Sequence, residues 1–122
     1  KIKSDASFRE FFRLYKKNET TIVVTAKKEK FKNLIVYSII NKFLKSKGIN
    51  TPKLFAHYFK KGIMEIEDFG DKTLFHHVRK SKNKLSVYKK CVDVILKIQK
   101  IKPVRKIKYD SNKYLNLDIY LN

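Results

Sequence analysis

The chain has 122 residues, which fits one domain of ordinary size with a sizeable core. Hydrophobic residues are 43% and charged residues 34%, which excludes a disordered chain, and no apolar run approaches the roughly 18 to 20 residues of a membrane span. Thirty Lys and Arg against 11 Asp and Glu give a formal charge of +19, and a lone Cys91 excludes an internal disulfide.

Residues 8–16 (F-R-E-F-F-R-L-Y-K) are aromatic-rich with partial alternation and read as a strand. Residues 20–25 (T-T-I-V-V-T) are β-branched throughout and read as its hairpin partner across the polar turn Lys17-Asn18-Glu19. Residues 28–47 carry Phe31, Leu34, Ile35, Ile39 and Phe43 at the spacing of one helix face. Gly48 and then Thr51-Pro52 are stop signals for that helix. Residues 54–59 and 63–66 are short strand candidates joined by Lys60-Lys61-Gly62. Asp71 or Thr73 is expected to cap a short helix to about Arg79. Ser81 or Asn83 is expected to open a longer helix with Leu85, Tyr88, Val92, Ile95 and Leu96 on one stripe, ended by Pro103. Cys91 falls in that run and reads as a small packing residue. The tail from Val104 is weakly patterned, and residues 115–121 look like the start of another element. The expected order is strand, strand, helix, strand, strand, then helices: an α+β fold with local, antiparallel strands.

The free cysteine points to a reducing, cytoplasmic setting. No basic start followed by an apolar stretch is visible, so no signal peptide is expected, and with no initiator Met the native N-terminus is expected to lie upstream. The positive charge invites a polyanion-binding reading. Against it, the only arginines are Arg9, Arg13, Arg79 and Arg105, and Arg rather than Lys makes bidentate base contacts. Phe11, Phe12 and Tyr15 are candidates for a stacking platform only if exposed together on one face. His57, His76 and His77 have no ligand partners at helical spacing and do not read as a metal site.

Two segments go beyond pattern. The first is Ser4-Asp5-Ala6-Ser7-Phe8-Arg9-Glu10-Phe11-Phe12-Arg13-Leu14. The second is Ile63-Met64-Glu65-Ile66-Glu67-Asp68-Phe69-Gly70-Asp71. A phosphate needs backbone N–H groups able to close on it, and Ser4, Ala6 and Ser7 are small enough to allow that approach. A strand ending in Glu67-Asp68-Phe69-Gly70 would present backbone groups to an adenine edge, with Gly70 turning the chain out. The plainer readings are a polar turn before a strand and an acidic turn after one.

Together the two segments resemble the aminoglycoside-phosphotransferase and choline-kinase superfamily. They are most similar to its branch of bacterial kinases acting on amino sugars such as N-acetylmuramate. Members of that branch carry G-D-A-S-x-R-x-Y-x-R where protein kinases have a Gly-rich loop, and L-x-x-E-D-L-G-D at the interlobe hinge. Gly48-Ile49-Asn50-Thr51-Pro52 resembles the turn after the family's long helix, and the likeness runs from Ser4 to about Gln99.

The resemblance implies a protein-kinase-like small lobe over residues 1–71 and the first helices of a second lobe over 72–122. It implies ATP as cofactor, and nucleotide contacts from Ser4, Asp5, Ala6, Ser7, Phe8, Arg9, Val24, Glu67, Asp68, Phe69 and Gly70. It implies Mg²⁺ held by residues beyond Asn122, and a sugar-like or aminoglycoside-like acceptor. The sequence departs from related kinases in three places. Val24 or Thr25 stands where they have a phosphate-anchoring lysine, with Lys27 and Lys28 just beyond. Glu29 is the only candidate partner on the long helix. No H-x-D-x-x-x-x-N loop follows, so these 122 residues alone are expected to be inactive. The alternatives are a small basic nucleic-acid-binding domain and a non-catalytic kinase-like interaction lobe. No membrane partner is expected, and nucleic-acid binding only as a non-specific property.

Overall fold

The computed structural model describes residues 2, 9–27, 32–102, 104–110 and 113–116. It is an α+β structure whose centre is a four-stranded antiparallel sheet of β1 (Arg9–Tyr15), β2 (Thr20–Ala26), β3 (Leu54–Tyr58) and β4 (Ile63–Glu67), in the order β1-β2-β4-β3. An isolated bridge from Ile2 to Phe11 extends the sheet beyond β1. Between β2 and β3 runs the helix α1 (Lys32–Ser46).

Strand register follows from side-chain alternation. Phe11 is paired with Val24 and Val24 with Met64, while Ile22 is paired with Ile66. These positions share one face, because side chains two apart in a strand point the same way. Ile22, Val24, Met64 and Ile66 therefore form one apolar layer, and α1 adds Leu34 to it. Phe11, Ala26, Tyr37, Leu54 and Phe59 close its margins. The condition set for a stacking platform of Phe11, Phe12 and Tyr15 is not met, since Phe11 belongs to this layer and Phe12 to the opposite face.

The C-terminal part of α1 is held by polar contacts. Gly48 N–H donates to Lys45 O at 3.0 Å and Ile49 N–H to Leu44 O at 3.1 Å, the double bond of a Schellman stop, with Ile49 buried beneath it. Asn41 and Ser38 are buried polar residues on the helix that apolar spacing does not anticipate. Asn41 Nδ2 donates to Pro52 O at 2.8 Å, and Thr51 Oγ1 donates to Asn41 O at 3.2 Å, so the loop after the helix is bonded back onto it. The turn before β4 is tighter than a plain hairpin: residues Phe59–Lys61 make one 3-10 turn and Gly62 follows at φ 69°. A Cβ at Gly62 would lie 2.2 Å from Ala26 O, so only glycine fits this approach of β4 to β2.

Beyond the sheet come α2 (Leu74–Lys80) and α3 (Lys84–Gln99). Thr73 caps α2 and Asn83 caps α3, with Asn83 Oδ1 accepting from Ser86 N–H at 3.0 Å. The apolar stripe on α3 stays in solvent, with Leu85, Tyr88, Val92, Ile95 and Leu96 between 45% and 68% exposed. Cys91 is half-buried on the same helix. No helix among the described residues is long and apolar enough to cross a membrane.

The tail differs from expectation. Residues after Val104 form a hairpin of β5 (Lys106–Asp110) and β6 (Lys113–Asn116), antiparallel, with Ile107 opposite Leu115. Leu115 thus belongs to a strand that ends at Asn116 rather than to an element starting there; residues 117–121 lie outside the described residues.

Candidate functional site

The two sequence segments that stand out are brought together at one end of the sheet. β1 contains residues 9–14 of the first segment, and β4 is most of the second. They are separated by β2, so backbone pairing alone does not join them. The junction is made by Arg13.

Arg13 lies on the apolar face of β1, paired with Ile22, one position past the end of the core layer. Its Nε donates to Asp68 Oδ2 at 2.5 Å and its Nη2 to Asp68 Oδ1 at 3.1 Å. The other side of the guanidinium meets Asp71, with Nη1 to Oδ2 and Nη2 to Oδ1 both at 2.9 Å. Two carboxylates thus grip one planar cation, each through two contacts, an arrangement that only Arg can make. The Asp68 side chain is 3% exposed and that of Arg13 is 17% exposed, whereas that of Asp71 is 86% exposed. The fork is therefore half inside the protein. Asp71 and Asp68 hold the guanidinium above its ordinary range. Arg13 in turn holds the Asp68 carboxyl below the usual carboxylate range, with the Gly70 amide adding to the effect.

Asp68 also shapes the chain that follows it. Its Oδ1 accepts from Gly70 N–H at 2.8 Å, closing a small side-chain turn, and Gly70 takes φ 76°, the left-handed region glycine enters without strain. Phe69, at the crest of this turn, is 57% exposed. Glu67 faces the other way: its N–H donates to Lys53 O at 2.8 Å, and its Oε2 accepts from Lys53 N–H at 2.9 Å. Residues 67–71 are thus an ordered exit from β4, bonded to the start of β3 on one side and to β1 on the other.

The remaining site candidates distribute as follows. Ser4, Asp5, Ala6, Ser7 and Phe8 lie outside the described residues. Arg9 stacks its guanidinium 5.4 Å above the Tyr37 ring and so faces α1. Burial raises the Tyr37 hydroxyl above its ordinary pKa. Val24 is 0% exposed, a core residue between Phe11 and Met64 in register. Thr25 falls on the opposite face, half-buried, and Lys27 is exposed just past the strand. Residues 32–46 of α1 contain no acidic side chain. Glu29 and Lys28 lie outside the described residues.

A second ion pair marks the opposite sheet face. Lys16 Nζ lies 2.6 Å from Glu65 Oε1 and holds that carboxyl below its usual range. Next to the exit turn, Asp71, Lys72, His76, His77 and Lys80 line an open cleft of about 390 Å³. His76 Nδ1 is 2.9 Å from Thr73 Oγ1, which occupies it with the helix cap. Among the described residues no group of three or more His, Cys, Asp or Glu is placed to hold a metal ion.

Asp71 and Arg13 are the site residues that sequence reasoning did not single out as such. The available signal was an arginine at an inward position of an otherwise apolar strand, which needs a buried or half-buried carboxylate partner. The chain matches no family model, no curated protein and no solved structure in the comparisons made.

Proposed function

We propose that the chain is the nucleotide-binding small lobe of an ATP-dependent phosphotransferase that acts on a hydroxyl of a sugar-like or aminoglycoside-like molecule. The observation that carries this reading is the junction at Arg13. The two segments whose residues resemble the kinase superfamily are 55 positions apart at Arg13 and Asp68, yet are fixed to one another by direct ion pairs.

The architecture supports the same reading. An antiparallel sheet with one long helix between its second and third strands is compatible with a kinase-like small lobe. The exit turn after β4 supplies an ordered backbone stretch with an exposed aromatic ring, suited to an adenine edge. On this reading Glu67, Asp68, Phe69 and Gly70 meet the base, and Ser4 to Phe8 close on the phosphates. Positioning and charge neutralisation carry most of the work in phosphoryl transfer, and a small lobe contributes mainly the first. The apolar stripe of α3 fits a helix that a second lobe covers, since Leu, Ile and Val in such a row gain from burial. That lobe would carry the catalytic base and the Mg²⁺ ligands.

The test is calorimetric titration of the full-length protein with Mg·ATP, followed by a phosphotransfer assay on amino sugars. Micromolar to millimolar ATP binding with phosphorylation of a sugar hydroxyl is the expected result. Absence of ATP binding would favour a kinase-like lobe used only for protein interaction. Residues 1–122 alone are expected to transfer no phosphate.

A further inference from the structure

We propose that Arg13 is a positioning residue for nucleotide recognition: by gripping Asp68 and Asp71 it sets the shape of the exit turn that meets the base. The inference rests on the nucleotide-binding reading above and assigns a role within it.

Three observations carry it. The two carboxylates lie on either side of Phe69 and Gly70, so one guanidinium holds both ends of the turn. Asp68 uses the same Oδ1 to accept from Arg13 and from Gly70 N–H, so the turn's internal bond depends on the carboxylate that Arg13 orients. Arg13 itself is fixed by strand pairing with Ile22, inside the most regular part of the sheet. Rigidity therefore passes from the sheet to a segment that lies outside its ladder. Binding to a pre-shaped segment avoids the entropy of ordering it.

The same geometry says what Arg13 does not do. With Nε, Nη1 and Nη2 all directed at Asp68 and Asp71, its charge is already compensated and is not a phosphate ligand. Loss of the fork should weaken recognition of the base and leave recognition of phosphates alone.

The experiment uses the full-length protein with three probes: ATP, adenosine and inorganic tripolyphosphate. Arg13→Lys keeps a cation and loses the fork. Asp71→Asn removes one arm at an exposed carboxylate and leaves no buried charge unpaired, so it remains informative if Arg13→Lys fails to fold. For Arg13→Lys the Kd for ATP and for adenosine is expected to rise about tenfold, the scale of a lost charge-assisted hydrogen bond. For Asp71→Asn a smaller rise in the same two constants is expected. Tripolyphosphate affinity should stay at the wild-type value in both, and amide exchange at Phe69 and Gly70 should quicken. Unchanged adenosine affinity in Asp71→Asn and in any folded Arg13→Lys overturns the inference and leaves the nucleotide-binding reading standing. An equal loss for tripolyphosphate also overturns it, since that marks a general loss of fold. A wild-type protein that binds neither ATP nor adenosine removes the underlying reading and the inference with it.

Discussion

Asp68 shows how much one largely buried carboxylate can organise. It accepts from Nε and Nη2 of Arg13 and from the Gly70 amide, and these bonds are strongest while it is ionised. Its folded pKa lies below the ordinary value of 3.8. A lowered carboxylate pKa means that the unfolded chain takes up the proton first as pH falls. The contribution to stability is therefore complete above 3.8 and is lost as pH falls through the lower folded value. Acid unfolding of the wild type should steepen below about pH 4, and Asp68→Asn should flatten that limb while being less stable at neutral pH. Circular dichroism melts from pH 7 to pH 2 would check it; parallel curves for the two proteins would exclude the effect. None of this was legible in the sequence beyond a row of acids at Glu65, Glu67, Asp68 and Asp71. The partner sits two strands away, and which acid it selects depends on the β1-β2-β4 register.

At the scale of elements, the sequence was most legible where two signals agreed. The β1–β2 hairpin had alternation on both sides of a polar turn, and Lys16 N–H donates to Glu19 O at 2.9 Å across that turn. Both helix caps came from short lists in which the structure selects one residue, Thr73 over Asp71 and Asn83 over Ser81. Legibility failed where lysines fill the alternation. In β5 and β6 the apolar residues are too sparse in the sequence to mark a face, and Ile107 opposite Leu115 is the one aliphatic pair in the register of the described residues. Val24 illustrates a different limit. Placing it in the right strand did not settle its face, and strand pairing puts it at the centre of the core. The elements should differ sharply in what they tolerate. Leu34 is fully buried where α1 meets the sheet, so Leu34→Ala should cost about 2–5 kcal/mol. Asn83→Ala removes one cap bond at an exposed helix start and should cost about 1 kcal/mol. Urea titrations of both variants measure the difference; equal losses would mean that α1 does not anchor the core.

Across the whole molecule, charge and contact are separate. Of the four arginines, Arg9 stacks on Tyr37, Arg13 grips two carboxylates, and Arg79 lies 5.5 Å above the Phe75 ring. Three of the four residues best suited to read nucleic-acid bases thus have contacts within the chain, Arg105 is exposed, and the +19 charge resides mostly in lysines spread along it. The strand order has a consequence for the route by which the chain reaches this structure. β1 with β2, and β3 with β4, are local pairs that can close early. The seam between β2 and β4 joins segments that have α1 and β3 between them in sequence, so it must absorb loop-closure entropy before it returns any stability. Val24 and Met64 meet across that seam, while Leu14 lies on the outer hairpin. Stopped-flow refolding should find Val24→Ala slowing folding and Leu14→Ala acting mainly on unfolding. Two small hairpins would then form first, and the line along which they zip together would set the folding rate.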